Sequence, residues 1–427
     1  MIFKSLSDSN ALHVLRSIWL TPAISRTDIA RVVGIDQSTV SRIVTMLIDE
    51  NIVETVSQGP SGPQGGRKPV FLRLNPRFGC VVGIEMQSEE FTIIGINPIG
   101  DILFTCREKY PDSEQPLLSL FSSALQRVRA AVGKTGLNLL GIGVGFPGII
   151  NSRDGIILRS NPLEIDEPLR FVERIVPFTS VPVRIEHDAR CCCWAELTFH
   201  RGRCPANFLY VLGEYRRNKL LHAAWQGIAL GLGLVFGHRI YTGEHFAAGE
   251  FRSVFYNNRQ DTNGLFGIPD AELALLRVDP GVQERFGREL GRNLALLVNV
   301  LNLTRVFVGG SIEELGSALL DRIREEVKNN WLYQQQSSFE VEFTQLGGRA
   351  VAYGAAGMFL EHLFSPPQSG PSLHELLERS RRGPEYGLIS ENEAVDAVKQ
   401  LAALDLPVSS VSDMKKELAP NKMDVKK

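Results

Sequence analysis

The chain has 427 residues, of which 44% are hydrophobic, and a formal net charge of −2. That length exceeds one ordinary domain, and the apolar fraction is enough for a buried core. The near-neutral balance excludes a general polycation, so any contact with nucleic acid has to come from a local patch.

No early apolar run approaches the length of a membrane span and the first residues lack a signal-peptide pattern, so no membrane contact and a cytoplasmic location are expected. The six cysteines are Cys80, Cys106, Cys191, Cys192, Cys193 and Cys204. They contain no C-x-x-C pair, and neighbouring cysteines are poor partners for one another, so reduced, buried thiols are expected rather than disulfides or a zinc corner. Composition divides the chain into residues 1–75, 76–365 and 366–427.

In the first zone Leu12, Leu15, Ile18 and Trp19 recur at helical spacing. "SRTDIARVVG" follows, in which Ser25 and Asp28 form a capping box and Gly34 a helix stop. "IDQSTVSRIVTMLIDENIV" then places Val40, Ile43, Val44 and Leu47 on one face. Its polar, non-acidic front carries Gln37, Ser38, Thr39, Ser41 and Arg42. A short helix, a glycine turn and a second helix of this kind make a helix-turn-helix, whose front can enter a major groove. Two β-like runs, "IVETVS" and "PVFLRLN", flank a Gly/Pro-rich tip with Arg67 and Lys68, which reads as a wing whose cations suit phosphates or a minor groove. Residues 1–77 hold nine Lys/Arg against six Asp/Glu, about +3, opposite in sign to the rest. Ser25, Arg26, Gln37, Ser38, Thr39, Ser41, Arg42, Arg67 and Lys68 are therefore the expected DNA-binding residues.

The second zone alternates short β-rich runs with helical stretches, as an α/β domain does. Its first hairpin, around "GIEMQSEEFT", sets Glu85, Glu89 and Glu90 at or beside the bend. "GIGVGFPG" reads as a buried strand ending on Gly148, at the strand edge where ligands of open α/β sheets sit. "VRIEHDA" ends a second strand on His187 and Asp188. An Asp there can cap the helix, accept a ligand hydroxyl or act as a general base. From Ser365 onward the composition reads as a loosely ordered tail with short helices near residues 373–381 and 391–403.

"GIGVGFPGII", "IEHDARCCCWAE", "GLGLVFGHRIYTGEHFAAGEF", "LGRNLALLVNVLNLTRVFVGGS" and "AYGAAGM" together resemble the ROK family (repressors, open reading frames and kinases). The family's sugar kinases have a two-lobed, actin-like fold. The resemblance runs from Leu6 to about Leu363 and includes the winged helix, typical of its repressors of the xylose or N-acetylglucosamine type. It implies that Asp188 matches the kinase base, that Glu250 accepts hydrogen bonds from sugar hydroxyls, and that Asn161 stands on the opposite wall. His187 replaces the usual Asn. Gly148, Asn161, His187, Asp188 and Glu250 are thus the expected ligand-binding set.

Other family features are missing. The Asp and Gly-Gly-Thr phosphate turn is replaced by Glu85–Glu90, without glycine and with extra carboxylates facing any polyanion. The second phosphate loop reads Gly227–Ile228–Ala229, and Gly231, Gly233, Gly309 and Gly310 alone make no nucleotide site. The family follows Ala-Gly-Glu with a hydrophobic residue, Gly, His and a cysteine-rich zinc segment. Here Ser253 stands at the His position, no cysteine follows, and His238 and His245 form no ligand set.

The resulting expectation is a non-enzymatic transcriptional regulator, most simply a repressor. It would be a homodimer or higher oligomer that binds operator DNA, senses a sugar or sugar derivative and needs no cofactor or metal. The alternatives are a ligand-independent DNA-binding protein with a decayed pocket and an active ATP-dependent sugar kinase.

Overall fold

The computed structural model describes residues 9–58, 70–110, 115–179, 181–199, 204–217, 226–256, 265–332 and 339–365. The expected wing tip with Arg67 and Lys68, the zone 366–427 and its two short helices lie outside them.

The N-terminal module runs α1 (Ser9–Leu20), β1 (Ile24–Ser25), α2 (Arg26–Val33), α3 (Gln37–Asp49), β2 (Val53–Gln58) and β3 (Val70–Leu74). The strands pair antiparallel in the order β1-β3-β2. Ser25 accepts a hydrogen bond from the Asp28 N–H to start α2, and Gly34, at φ 75°, ends it. Leu12, Leu15 and Ile18 of α1 meet Ile29 of α2 and Val40, Val44 and Leu47 of α3 in one buried cluster. The helical period therefore reads through to a winged helix-turn-helix.

The next unit comprises β4 (Cys80–Met86), β5 (Glu90–Ile96), β6 (Ile102–Lys109), α4 (Leu117–Thr135), β7 (Leu139–Phe146), β8 (Ile149–Asn151), β9 (Ile156–Arg159), α5 (Phe171–Arg174) and β10 (Val183–His187). After it come α6 (Asp188–Phe199), β11 (Phe208–Arg217), β12 (Gln226–Phe236), β13 (Arg239–Ile240), α7 (Asp270–Leu273), α8 (Pro280–Leu301), β14 (Arg305–Gly310), α9 (Ser317–Asn329), β15 (Glu340–Phe343) and α10 (Ala350–Leu363). Among the described residues the two main sheets have orders β10-β7-β4-β5-β6 and β13-β12-β11-β14-β15. Numbered within each lobe, both read 3-2-1-4-5, an antiparallel meander continued by parallel strands. This duplicated α/β unit is the two-lobed, actin-like architecture.

Helices α6 and α10 pack together along their length, and α10 lies against the first sheet. The approach is backbone to backbone. A methyl on Gly354 would stand 1.7 Å from the Cys191 carbonyl oxygen, and one on Gly143 would stand 1.9 Å from that of Ala355. Only glycine admits such contact. The N-terminal module docks on the far end of α10. Trp19 meets the Phe364 ring at 4.9 Å and donates Nε1–H to the Pro98 carbonyl at 3.1 Å, while Arg16 pairs with Glu361. Ala352, Ala356, Phe359 and Leu360 belong to the same apolar cluster as α1 to α3. That cluster crosses the expected boundary at residues 75 and 76.

The cysteines are unpaired; Cys80 and Cys191 to Cys193 are buried, whereas Cys106 and Cys204 are half-buried, which corrects the expectation of uniformly buried thiols. Among the described residues no helix is long and apolar enough to cross a membrane.

Candidate functional site

On the nucleic-acid face, α3 buries Val40, Ile43, Val44 and Leu47 and turns outward Gln37, Ser38, Ser41 and Arg42, with Thr39 half-buried. These side chains offer amide, hydroxyl and guanidinium groups to base edges and phosphates. Two expectations need correction. Ser25 is 5% exposed and its hydroxyl donates to Asp28 at 2.6 Å, so it serves the cap of α2 rather than the DNA face. The front is also not free of acid, because exposed Asp36 caps α3. It accepts from Thr39 N–H at 2.8 Å, from Thr39 Oγ1 at 2.7 Å and from Ser38 Oγ at 2.5 Å. These hydrogen bonds, that of the Ser38 hydroxyl foremost, hold its carboxyl far below the usual range, so it stays charged. Arg26 is half-buried at the start of α2.

The expected ligand residues Gly148, Asn161, His187, Asp188 and Glu250 all line one cavity of about 460 Å³ between the lobes. Strand β7 ends at Phe146 beside His187 of β10, which carries both C-terminal edges to the cavity floor. Gly148 sits at φ 109°, and a methyl there would meet the Arg159 carbonyl oxygen at 2.3 Å, so the loop requires glycine. Ser160 Oγ donates to the Pro147 carbonyl at 2.7 Å and fixes the same loop. Asp188 opens α6; its Oδ1 accepts from the Ala189 N–H at 2.7 Å and lies 3.1 Å from His187 Nε2. His187 Nε2 in turn lies 4.0 Å from Glu250 Oε1. Asp188 is thus a helix cap and a cavity carboxylate together, and a chain of polar groups links the floor to the second lobe.

On the β12 side the cavity wall carries a carboxylate, Glu214. Gly227, Ile228 and Ala229 of β12 line it next to Glu214 of β11, to which the Ser311 hydroxyl donates. Burial, with the charge of Glu214 adding to it and a Gly310 backbone hydrogen bond opposing it, pushes the Glu313 carboxyl up to about 7. Glu85 is buried in β4 and accepts from Gln87 Nε2 at 2.5 Å, while Glu90 pairs with Arg107. Gly231 and Gly233 serve packing: a methyl on Gly231 would lie 3.2 Å from the Ala189 methyl, and one on Gly233 would lie 2.2 Å from Cys193 Sγ. Gly309 leaves room for the Tyr210 hydroxyl, which a methyl would meet at 2.2 Å. Ser253 is buried, its Oγ accepting from Phe255 N–H at 3.1 Å and from Asn293 Nδ2 at 3.0 Å, as a packing residue would. Among the described residues no group of three or more His, Cys, Asp or Glu is placed to hold a metal ion.

Sequence reasoning missed Glu214 and Glu313, which come from distant segments, and it missed Arg190. Arg190 is fully buried. Its Nε donates to Glu186 Oε1 at 2.7 Å, its Nη2 to the Ile150 carbonyl at 2.8 Å and its Nη1 to the Phe246 carbonyl at 3.0 Å. It ties β8, next to Gly148, to the loop before Glu250. The only signal was the four-residue spacing of Glu186 and Arg190.

Comparison with known proteins agrees with this architecture. Residues 81–252 match the model of the ROK family and residues 8–57 that of the MarR family. The chain is 26% identical over 408 residues to the xylose repressor of Caldicellulosiruptor bescii, spanning 85% of this chain and 98% of that protein. It is 24% identical over 388 residues to the DNA-binding transcriptional repressor Mlc of Escherichia coli, spanning 82% of this chain and 93% of Mlc. Among solved structures it resembles a ROK family transcriptional regulator described as a homolog of the E. coli MLC protein. The TM-score is 0.68 at 19% identity, covering 87% of this chain and 99% of that one. Residues 81–252 are therefore a ROK-family domain, with a MarR-type winged helix ahead of it at residues 8–57.

Proposed function

We propose that the protein is a cytoplasmic transcriptional repressor whose kinase-like domain senses a sugar or sugar derivative and does not transfer phosphate. One observation carries this reading: the five expected ligand positions line a single cavity, and Glu214 lines it beside Gly227, Ile228 and Ala229, where the kinases' second phosphate loop would lie. Hydroxyl groups both donate and accept, and Asn161, His187, Asp188 and Glu250 supply both functions. Phosphoryl transfer depends on positioning a polyanion and neutralising its charge. Glu214 on the cavity wall opposes both, so Asp188 serves as a ligand acceptor.

Two copies associate through their ROK domains and set two winged helices on a palindromic operator. The exposed Gln37, Ser41 and Arg42 face the groove, with Ser38 and Thr39 held at its edge by Asp36, and Arg26, Arg67 and Lys68 are assigned to phosphates. Footprinting of the chain's own upstream DNA, with and without neutral and anionic sugars, tests the reading. Protection that a sugar alters supports it, and no protected site at moderate salt overturns it. ATP turnover lost in Asp188→Asn would instead establish a kinase.

A further inference from the structure

Two cations on the cavity remain without a role in the sensing scheme. Arg159, at the end of β9 in the first lobe, and Arg252, two residues beyond Glu250 in the second, both line it. Both are exposed at its mouth. Arg159 has a loose, exposed neighbour in Asp166 at 3.6 Å, and its own side chain is 62% exposed. The Arg252 guanidinium lies over the Tyr256 ring, its Cζ 4.9 Å from the centroid. A guanidinium edge suits a planar or tetrahedral oxyanion.

The same cavity carries the opposite charge, on Asp188 buried at its floor, on Glu214, and on Glu250, whose side chain is 52% exposed. A neutral sugar uses the interior and leaves both arginines in water. A fully anionic ligand is repelled by the interior. The arrangement fits a molecule with hydroxyls at one end and one anionic group at the other, the hydroxyls inward.

We infer that the effector is a sugar derivative bearing a single carboxylate or phosphate, held at the mouth between Arg159 and Arg252. This rests on the sugar-sensing reading of the cavity. Because the arginines come from opposite lobes, the anion is also the part of the ligand that draws the lobes together. A carboxylate and a phosphate share this chemistry, and the probes below separate them.

Isothermal titration of the full chain at low salt would compare glucose and xylose with gluconate, glucuronate and glucose 6-phosphate. The expected result is that at least one anionic probe binds about tenfold or more tighter than its neutral counterpart, the scale of one or two charge-assisted hydrogen bonds at an exposed rim. Gluconate or glucuronate ahead of glucose 6-phosphate assigns a carboxylate, and the reverse order a phosphate. Arg159→Ala and Arg252→Ala should each weaken that probe about fivefold to tenfold and leave neutral sugar affinity within twofold. Raising the salt should remove most of the anionic preference. Equal affinity for neutral and anionic probes, or indifference to both substitutions, overturns the inference and leaves the sensor reading standing. Absence of binding by every probe, in a chain that still melts cooperatively, overturns both.

Discussion

Arg190→Met tests the buried tie between β8 and the loop before Glu250. The guanidinium is fully buried and makes hydrogen bonds of 2.7, 2.8 and 3.0 Å to Glu186, the Ile150 carbonyl and the Phe246 carbonyl. Methionine approximates the stem and removes all three. Glu186, itself 4% exposed, is then left, among the described residues, with the His187 N–H at 2.8 Å as a hydrogen-bond donor. Breaking a buried pair by removing one partner costs about 3–5 kcal/mol, and each orphaned carbonyl adds up to about 1–3 kcal/mol where water cannot reach it. A loss of about 4 kcal/mol or more is expected, measured as the shift of the urea midpoint at unchanged slope. The double variant Glu186→Gln with Arg190→Met removes the stranded charge, so it should be about 1–3 kcal/mol more stable than Arg190→Met alone. A single variant losing under about 1 kcal/mol, or a double variant losing the sum of both singles, would refute the reasoning.

Gly354→Ala places its methyl 1.7 Å from the Cys191 carbonyl and should abolish folding or cost several kcal/mol. Gly357→Ala meets the Phe199 ring at 2.9 Å and should cost much less, which soluble yield and thermal melts of the pair will show. Glu313 has its folded value pushed up to about 7, from 4.5, by burial foremost. The folded state therefore holds the proton that the unfolded state has already lost, so this group's contribution is complete below about pH 4.5 and disappears as pH rises through 7. Glu313→Gln should flatten the decline in melting temperature between pH 5 and pH 8. Arg42→Ala should weaken operator binding and reduce its salt dependence, read by fluorescence anisotropy across a salt series. Arg16→Ala, which breaks the Arg16–Glu361 pair, should leave binding to free operator within a few-fold while reducing the change an effector produces.

The elements that local physics dictates were legible in the sequence. The period of Leu12, Leu15 and Ile18, and of Val40, Val44 and Leu47, fixes which helix faces turn inward, and all six residues are buried in one cluster. The motifs singled out five residues that line one cavity, Gly148 among them through the loop that follows a buried strand. Other features depend on pairings between distant segments, which periodicity does not encode. The repeated 3-2-1-4-5 strand order joins β4 to β7 and β11 to β14 across more than one intervening element. Arg190 sits in "EHDARCCCW" like any polar helix residue, and only the placement of Ile150 and Phe246 makes it a buried tie. Asp36 was different, because an Asp just before "QSTV" is a standard helix cap, and its charge belonged in the sequence reading of the DNA face.

The cleft reaches the DNA-binding module through one continuous packed route. Asp188 opens α6, and Phe199 at its far end stacks with Tyr353 of α10 at 4.3 Å. The Tyr353 hydroxyl donates to the Gly100 carbonyl at 2.8 Å, in the same turn whose Pro98 carbonyl accepts from Trp19. Trp19 and Arg16 fasten α1 to the end of α10, and α1 shares its core with α3. Backbone contact at Gly354 prevents α6 from sliding on α10 without moving it, because packed interfaces shift as units rather than deform. Under the proposed sensing function, a small rotation at the cleft would therefore be carried to α3. In a dimer it becomes a change in the spacing of two recognition helices that must match a helical turn of DNA. A ligand with equal affinity for both closures would change nothing at the operator, however tightly it bound. Differential affinity requires contacts from both lobes, and Asp188 on α6, Glu250 beside β12, and the arginines at the two sides of the mouth are the groups positioned to supply them.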